Sequence, residues 1–339
     1  MGGAESLVTP FVRGFNRDRY EVFVCCLTTI GENVSARDLD VVNLGARNLR
    51  DIRAFRRLLR YIRDNRIDLI HAHLAYAATW AALASRITGV PSVATLHVAP
   101  PNRGAGRIRD RLMRFALRRW SSAVIAVSDA LRRQYGDDRF VVAHNGIDVD
   151  RFAGSRAESR ERIAHEFGIP RDAKIVTTVS VLREGKGVEV LLRAFEQIDD
   201  AYLFIIGDGP KREEWQALAG SDRIRWAGFR RDVDALLPGC DLFVLASFED
   251  AFPTVLLEAM AAGLPVVASR VGGIPEITDE VLIPRGDAGA LANAMRELLA
   301  DDDRRRAIGD AARARARERF STAAWIARLE KIYDRVLRS

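Results

Sequence analysis

The sequence predicts an α/β protein with two doubly wound, Rossmann-like domains. Short continuous runs of Val, Ile and Leu alternate with amphipathic helical stretches, which is typical of parallel strands buried on both faces. The alternation occurs twice along 339 residues, about two domains' worth at roughly 150 residues each. Hydrophobic residues make up 48% and charged residues 29% of the chain, which is globular composition and excludes a disordered or fibrous protein.

Each predicted element follows from its local pattern. Strands are predicted in the first half at 20–27, 68–74, 92–97, 122–127 and 139–144, and in the second half at 174–182, 202–207, 223–228, 242–247, 265–269 and 281–284. Helices are predicted between them at 49–65, 75–88, 103–120, 188–198, 211–219 and 254–261. The strand rhythm breaks at 148–168. We therefore predict a first domain over 1–150, a second over 151–320 and a terminal segment over 321–339.

The start of the chain departs from the doubly wound pattern. Such a domain opens with a strand that leads into a glycine-rich turn, whereas the turn Gly2-Gly3 has no strand before it. We expect the first domain to lack its first strand, either because the true start lies upstream or because the domain is built without it. On the first alternative, added upstream residues should raise thermal stability and soluble yield.

Positive charge is concentrated in the first half. Residues 1–150 contain 23 Arg and 15 acidic residues, net +8, and the remainder is net −2. Segment 103–120 has seven Arg and one Asp, with apolar residues at helical spacing. This pattern favours peripheral contact with an anionic membrane surface; the alternative is a solvated helix whose apolar side packs inward. No nucleic-acid partner is expected, because no nucleic-acid fold signature accompanies the charge.

Targeting and redox features predict a cytoplasmic protein, with any membrane contact at the inner face. No apolar run reaches the roughly 18–20 residues of a membrane span, and no secretory signal pattern is visible. Cys25, Cys26 and Cys240 have neither disulfide nor metal-ligand spacing, so we expect buried, reduced thiols. His71 and His73 share one face of a strand, but no third ligand accompanies them, which favours structural roles over a metal pair.

The passage 241–277 contains the most informative candidate binding residues. A buried strand leads into a polar loop, and Pro253 stands where a helix begins. The free N–H groups and positive dipole end of that helix suit a phosphate. Asp250 lies in the loop and Glu258 one turn into the helix. Two carboxylates placed in this way are suited to hold sugar hydroxyls on either side of a diphosphate.

This passage resembles the retaining glycosyltransferases of family four, which have the GT-B fold of two Rossmann-like domains facing across a cleft. The matching positions are Ser247, Phe252, Pro253, Leu257, Glu258, Ala259, Met260, Ala261, Gly263, Pro265, Val266, Val267 and Ala268. Further matches lie at 2–5, 95–97, 127–128, 144–148, 207–210 and 271–276. The resemblance thus covers nearly the whole chain, and it implies that 321–339 contains the family's terminal helix, which crosses back to the first domain.

The resemblance implies a nucleotide-sugar donor in the second domain and an acceptor held mainly by the first, with no metal and no cofactor besides the substrate. It assigns the nucleotide ribose to Glu258. The family's first glutamate falls on Asp250, one methylene shorter, and the following glycine falls on Ala251; these two positions contact the donor sugar. Glu249 is the alternative, one position out of register.

The resemblance also predicts how the diphosphate is clamped. A lysine is expected where Lys186 stands and an arginine where Val181 stands. Arg183, two residues downstream, either reaches the vacant place or stays solvated. His97 ends a predicted strand and is expected near the reacting centre, against donor sugar or acceptor. The remaining donor contacts are expected at Gly2, Gly3, Gly207, Phe229, Phe252, Thr254 and Val255.

The resemblance therefore implies a metal-independent hexosyltransferase that retains anomeric configuration. UDP is the first expectation for the nucleotide and GDP the main alternative; the acceptor is expected to be a lipid-linked or polysaccharide intermediate of the cell envelope. Val181, Asp250 and the missing strand leave open a nucleotide-sugar-binding protein without turnover, and a sugar-nucleotide epimerase is a second alternative. A nicotinamide oxidoreductase is disfavoured, because 207–210 lacks the third glycine of the dinucleotide turn.

Overall fold

The structure is a computed structural model that describes residues 7–28, 39–48, 50–99 and 106–338. The chain forms two compact units. The first unit contains the residues up to Asn145 together with those from Ala323 onward, and the second unit is Gly146–Thr322. The predicted Gly2-Gly3 turn lies outside the described residues.

The first unit alternates strands and helices. Its elements are α1 (Val8–Gly14), β1 (Val24–Cys26), β2 (Val41–Asn43), α2 (Ile52–Asp64), β3 (Ile70–His73), α3 (Ala75–Thr88), β4 (Ser92–Leu96), α4 (Gly106–Trp120), β5 (Ala123–Ala126), α5 (Asp129–Tyr135) and β6 (Val141–Val142). All strand pairs are parallel, as the continuous apolar runs predict.

Helix α2 shows why these residues fold locally. Asp51 caps its start, because the carboxylate accepts a hydrogen bond of 3.1 Å from the backbone N–H of Ala54. Ala54, Leu58 and Ile62 recur at helical spacing and are all buried. The opposite face is arginine-rich and solvated. The cap therefore starts the helix at residue 52, three residues later than the sequence pattern predicts.

The sheet of the first unit is in two pieces. One piece has the order β3-β4-β5-β6 and the other is the pair β1-β2. Within the described residues, no strand joins β1 to β3, and a cavity of about 1930 Å³ is lined by residues of both strands. In a doubly wound sheet, the central first strand lies at this position. Among the described residues this position holds no strand, and the expectation that the domain lacks its first strand stays a prediction.

The cavity also corrects the prediction for one cysteine. Cys240 is buried and Cys26 is half-buried, but Cys25 is exposed. Its strand borders the cavity instead of packing against a neighbouring strand on that side. The expectation of a buried thiol is therefore wrong for Cys25.

The second unit contains a complete doubly wound sheet. Its elements are α6 (Arg156–Phe167), β7 (Lys174–Val179), α7 (Val188–Phe195), β8 (Ala201–Ile206), α8 (Arg212–Leu218), β9 (Ile224–Gly228), β10 (Leu242–Leu245), α9 (Thr254–Ala261), β11 (Val266–Ser269), α10 (Ile274–Ile277), β12 (Leu282–Ile283), α11 (Ala288–Ala300) and α12 (Asp302–Phe320). The parallel order β12-β11-β10-β7-β8-β9 has the strand sequence 6-5-4-1-2-3 within the unit, which is the Rossmann order. Apolar side chains of β7, β8, β10, α7 and α11 form its core.

The terminal helix α13 (Thr322–Arg338) belongs almost entirely to the first unit. It buries Trp325, Ile326, Leu329 and Tyr333. Within the described residues, no helix combines the length and the apolar character needed to cross a membrane.

Candidate active site

The second unit gathers its predicted site residues at one edge. Because its strands are parallel, the loops that follow them leave the sheet on the same side. These loops hold Lys186 after β7, Gly207 after β8, Phe229 after β9, Asp250 after β10 and Gly272 after β11. The sequence motifs that are far apart along the chain therefore meet at the carboxyl edge of a single sheet.

Lys186 and Asp250 form an ion pair at this edge. The Nζ of Lys186 lies 2.7 Å from an Oδ of Asp250, and the two side chains are 19% and 14% exposed. Such a half-buried, hydrogen-bonded pair is held more firmly than a surface pair. The two residues that the resemblance assigns to diphosphate and donor sugar thus lie in contact.

Backbone packing brings the Lys186 turn to the β10 loop. The N–H of Phe248 donates a hydrogen bond of 2.9 Å to the carbonyl of Gly185. Gly187 has φ +68°, and a Cβ there would lie 1.9 Å from the carbonyl oxygen of Ala246. Only glycine permits this approach, so the position of Lys186 depends on a residue without a side chain.

A second glycine turn holds Asp250 from the other side. The N–H of Gly273 donates a hydrogen bond of 3.0 Å to the carbonyl of Asp250. Gly272 has φ +50°, and its Cβ would lie 1.9 Å from the same carbonyl oxygen. Asp250 is therefore fixed by its side chain and by its backbone.

Helix α9 begins beside this loop, as the sequence predicts. One detail differs: Pro253 precedes the helix in extended backbone (φ −72°, ψ 112°), and Thr254 is the first helical residue. Phe252 and Thr254 are buried, whereas Ala251 and Val255 are half-buried. The first N–H groups of α9 have no side-chain cap, which leaves them suited to an anion.

Glu258 lies one turn into α9 and is partly buried. Burial raises the pKa of its carboxyl to about 7, against the opposing attraction of Arg151. Arg151 is itself paired with Asp234 at 2.9 Å. Glu258 is therefore a carboxyl that changes charge near neutral pH, and Arg151 is a partner that the sequence analysis missed.

The other predicted donor residues do not take part in the Lys186–Asp250 ion pair. Arg183 is exposed, and its Nη1 donates a long hydrogen bond of 3.4 Å to the carbonyl of Glu184. The backbone N–H of Lys186 donates a hydrogen bond of 3.3 Å to the carbonyl of Arg183. Between described residues, no side-chain hydrogen bond or ion pair joins the guanidinium of Arg183 to Lys186 or Asp250. The side chain of Phe229 is 46% exposed. Gly207 has φ +134° and approaches the carbonyl of Ser180, so that a Cβ would lie 1.8 Å away.

The first unit brings His97 together with the two histidines that the sequence analysis treated as structural. The Nδ1 of His73 lies 3.0 Å from the Nε2 of His97. His71 lies next to His73, with ring centroids 4.5 Å apart. The available signal was the spacing of His71 and His73, which puts both on one strand face; the pairing of β3 with β4 then places them beside His97.

These imidazoles are neutral over the physiological range. Burial lowers the pKa of His73 to about 4 and that of His97 to about 3, and it lowers the pKa of His71 as well. Within the described residues, no group of three or more His, Cys, Asp or Glu side chains is arranged to hold a metal ion.

A doubly wound unit with a cation, two carboxyl groups and an uncapped helix start at its carboxyl edge is typical of proteins that bind nucleotides or other phosphate-bearing ligands. The comparisons with known proteins narrow this class. Residues 1–151 match the family described as Glycosyltransferase Family 4, and residues 173–301 match Glycosyl transferases group 1. The chain belongs to the family 4, group 1 glycosyltransferases and is a hexosyltransferase-type enzyme with the GT-B fold.

Individual relatives span most of the chain. N-acetyl-alpha-D-glucosaminyl L-malate synthase of Bacillus anthracis is 32% identical, over 81% of this chain and 76% of the relative. D-inositol 3-phosphate glycosyltransferase of Corynebacterium glutamicum is 30% identical, over 79% of this chain and 72% of the relative. The Anabaena protein HepE, solved in complex with UDP-glucose, superposes with a TM-score of 0.87 at 24% identity, covering 98% of this chain and 96% of HepE.

Proposed function

We propose that this chain transfers a hexose from a UDP-sugar to an acceptor hydroxyl, with retention of anomeric configuration and without a metal. The observation that carries the proposal is the Lys186–Asp250 pair beside the start of α9, with Glu258 one turn further along. A cation and free N–H groups suit the diphosphate, and the two carboxyls suit sugar hydroxyls on either side of it.

Binding of the diphosphate would replace one partner of the ion pair. The phosphate oxygens approach Lys186 and the first N–H groups of α9, and Asp250 is then free to accept hydrogen bonds from the donor sugar. Glu258 accepts from the ribose. The exposed ring of Phe229 offers a flat apolar surface beside the nucleotide.

The proposed chemistry needs no nucleophile from the protein. The bond between C1 of the sugar and the phosphate oxygen breaks, and its electron pair stays on the diphosphate. The acceptor oxygen bonds to C1 on the same face, and its proton passes to the leaving phosphate oxygen. Lys186 stabilises the charge that develops on the diphosphate, and removing such a group typically costs a few kcal/mol.

A transfer assay tests this chemistry. The purified chain is incubated with UDP-glucose, UDP-N-acetylglucosamine or GDP-mannose and a panel of acceptors, with and without EDTA. We expect UDP release that requires an acceptor, an axial anomeric linkage from an α-configured donor by proton NMR, and rates unchanged by EDTA. An equatorial linkage contradicts retention, and loss of activity in EDTA contradicts metal independence. Nucleotide binding without release or transfer supports the binding-protein alternative.

For the acceptor, we propose a lipid-linked or polysaccharide intermediate that the enzyme meets at an anionic membrane surface. Helix α4 supports this proposal, because it exposes Leu112 by 65% and Phe115 by 60% within an arginine-rich sequence. The neighbouring helix α3 exposes Ile87 by 50%. Exposed apolar residues among arginines are typical of a helix at an anionic interface.

Vesicle flotation tests the membrane proposal. We expect the chain to float with vesicles that contain anionic lipid and not with neutral vesicles, and the double substitution Leu112→Ser with Phe115→Ser to abolish flotation. Leu218→Ser is the control, because Leu218 is 58% exposed on the second unit. Equal flotation on both vesicle types contradicts the proposal.

The acceptor panel of the transfer assay also includes L-malate and D-inositol 3-phosphate, because the names of two relatives contain these small anionic molecules.

A further inference from the structure

Three imidazoles lie in a row at the carboxyl end of β3 and β4. The rings of His71 and His73 are stacked at 4.5 Å with 27° between their planes, and those of His73 and His97 at 5.3 Å with 25°. Alternation along β3 puts His71 and His73 on one face. Because His73 is in register with Thr95 of β4, His97 follows on the same face, two residues further along.

The outer end of the row is anchored by two hydroxyls. The Nδ1 of His71 lies 2.5 Å from Oη of Tyr333, and its Nε2 lies 2.7 Å from Oγ1 of Thr95. A hydroxyl can donate or accept, so both ring nitrogens of His71 are satisfied in either tautomer. The edge of the row is closed by Phe11, whose ring centroid is 4.9 Å from that of His73. His73 is therefore held between fixed rings.

At the other end of the row, the contacts of His73 determine which ring donates the hydrogen bond between His73 and His97. In the neutral His73–His97 pair, one nitrogen donates and the other accepts. The remaining nitrogen of His73, Nε2, is buried and has no hydrogen-bond partner among the described residues. Orphaned buried N–H groups are rarer than acceptors that lack a partner. The proton of His73 therefore belongs on Nδ1, from which it is donated to the Nε2 of His97.

The direction of this hydrogen bond determines which ring nitrogen of His97 carries the proton. An accepting Nε2 on a neutral ring means that the proton of His97 is on Nδ1. Burial keeps both rings neutral, because it lowers the pKa of His73 to about 4 and that of His97 to about 3. The Nε2 of His97 is then occupied by His73, and its Nδ1–H, which forms no hydrogen bond within the part of the chain that the structure describes, can donate to a ligand.

We infer that His73 is a positioning residue that fixes His97 as the Nδ1–H tautomer, so that His97 donates a hydrogen bond to an oxygen of the bound sugar and does not act as a general base. The role of His97 toward the sugar rests on the proposed function. The tautomer itself rests on the contacts and burial of these rings in the free protein and is independent of the proposed function.

Histidine-selective ¹⁵N NMR of the free, full-length chain tests the tautomer. The chain has five histidines, which are assigned through single His→Asn variants. Between about pH 5 and 8, we expect a protonated Nδ1 and a bare Nε2 on His97, the same pattern on His73, and no titration of either ring. A protonated Nε2 on His97, or titration of His97 in this range, overturns the inference.

Two variants of His73 test its effect on turnover. His73→Asn keeps an amide donor at the position of Nδ1, whereas His73→Leu removes it. We expect His73→Leu to lower kcat about 10- to 100-fold with little change in the donor KM, and to populate the other His97 tautomer, while His73→Asn recovers most of both. His165→Asn on the exposed surface of α6 is the control. Unchanged kcat and an unchanged His97 signature in His73→Leu overturn the inference.

The two readouts separate this inference from the proposed function. An Nδ1–H signature in a protein that transfers no sugar supports the tautomer and contradicts the proposed function. Sugar transfer by a protein whose His97 carries its proton on Nε2 overturns the inference and leaves the proposed function intact.

Discussion

The two units of this glycosyltransferase differ in the polar groups that each presents at the carboxyl end of its strands. The second unit offers charge: Lys186 and Asp250 are paired, and Glu258 ionises near neutral pH. The first unit offers a row of neutral imidazoles that ends at His97. On the proposed function, the charged groups of the second unit suit the diphosphate of the donor, and a neutral N–H of His97 suits a sugar hydroxyl.

The units also differ in what supports these groups. The loops of the second unit leave a continuous six-stranded sheet and are held to one another by glycine backbone. Strand β3, which carries His71 and His73, borders a large cavity, and the row depends instead on Tyr333 and Phe11. We therefore expect substitutions in the second unit to act on binding and chemistry, and those in the first to act through orientation.

The largest effect is expected at Lys186. Lys186→Ala removes the cation that faces the developing diphosphate charge, and we expect kcat to fall about 100- to 1000-fold. Steady-state kinetics with a saturating UDP-sugar measure this. Lys174→Ala is the matched control, because Lys174 lies at the amino end of β7 and pairs with Asp200 on the surface. An equal loss of kcat in both variants would contradict a specific role of Lys186 at the diphosphate.

The next effect is expected at Gly272. Gly272→Ala places a Cβ against the carbonyl of Asp250, and we expect kcat/KM to fall about 10- to 100-fold as the carboxylate is displaced. Gly168→Ala is the control: its φ of +64° gives the same left-handed strain, about 1–2 kcal/mol, but nothing lies within 4 Å of the new Cβ. If Gly168→Ala loses as much activity, the loss reflects stability and not the position of Asp250.

A pH-dependent effect is expected at Glu258. Because its pKa is raised from 4.5 to about 7, the stability it contributes is full below about pH 4.5 and is lost as the pH rises through 7. Glu258→Gln should match the wild type near pH 4.5 and exceed it at about pH 8.5 by up to about 3 kcal/mol, at 1.4 kcal/mol per pKa unit. Urea denaturation at the two pH values measures this, with Glu318→Gln as an exposed control. A difference that does not change with pH contradicts the raised pKa.

The smallest effect is expected at Arg183. Because its side chain is exposed, we expect Arg183→Ala to lower kcat only about 3- to 10-fold, less than a buried charge would. Arg193→Ala on the exposed face of α7 is the control. Equal kcat values in the two variants would show that Arg183 takes no part in catalysis. In that case, kinetics of Val181→Arg test whether an arginine at position 181 raises kcat.

The apolar runs of the sequence predict the strands well because parallel strands are buried on both faces. All eleven predicted strands are present, and the helices over 75–88 and 254–261 begin and end as predicted. The three-residue strand β2 was missed because so short a run has no clear periodicity. Helix α12 was also missed, because its arginine-rich sequence buries only small residues such as Ala312 and Ala316 along most of its length.

Contacts across the sheet edge could not be predicted in the same way. The resemblance named Lys186 and Asp250 separately, but their pairing depends on the approach of Gly187 to Ala246, which is a property of the folded backbone. The histidine row likewise depends on the register of β3 with β4. The role of Arg183 stays a prediction.

Calorimetric titration with UDP, GDP and ADP tests the central claim most directly, namely that the carboxyl edge of the second unit binds the donor nucleotide. We expect selective binding of UDP by the wild type and by Lys174→Ala, and loss of that binding in Lys186→Ala and Glu258→Ala. Binding of UDP that survives both substitutions, or no binding by a folded wild-type chain, would contradict it.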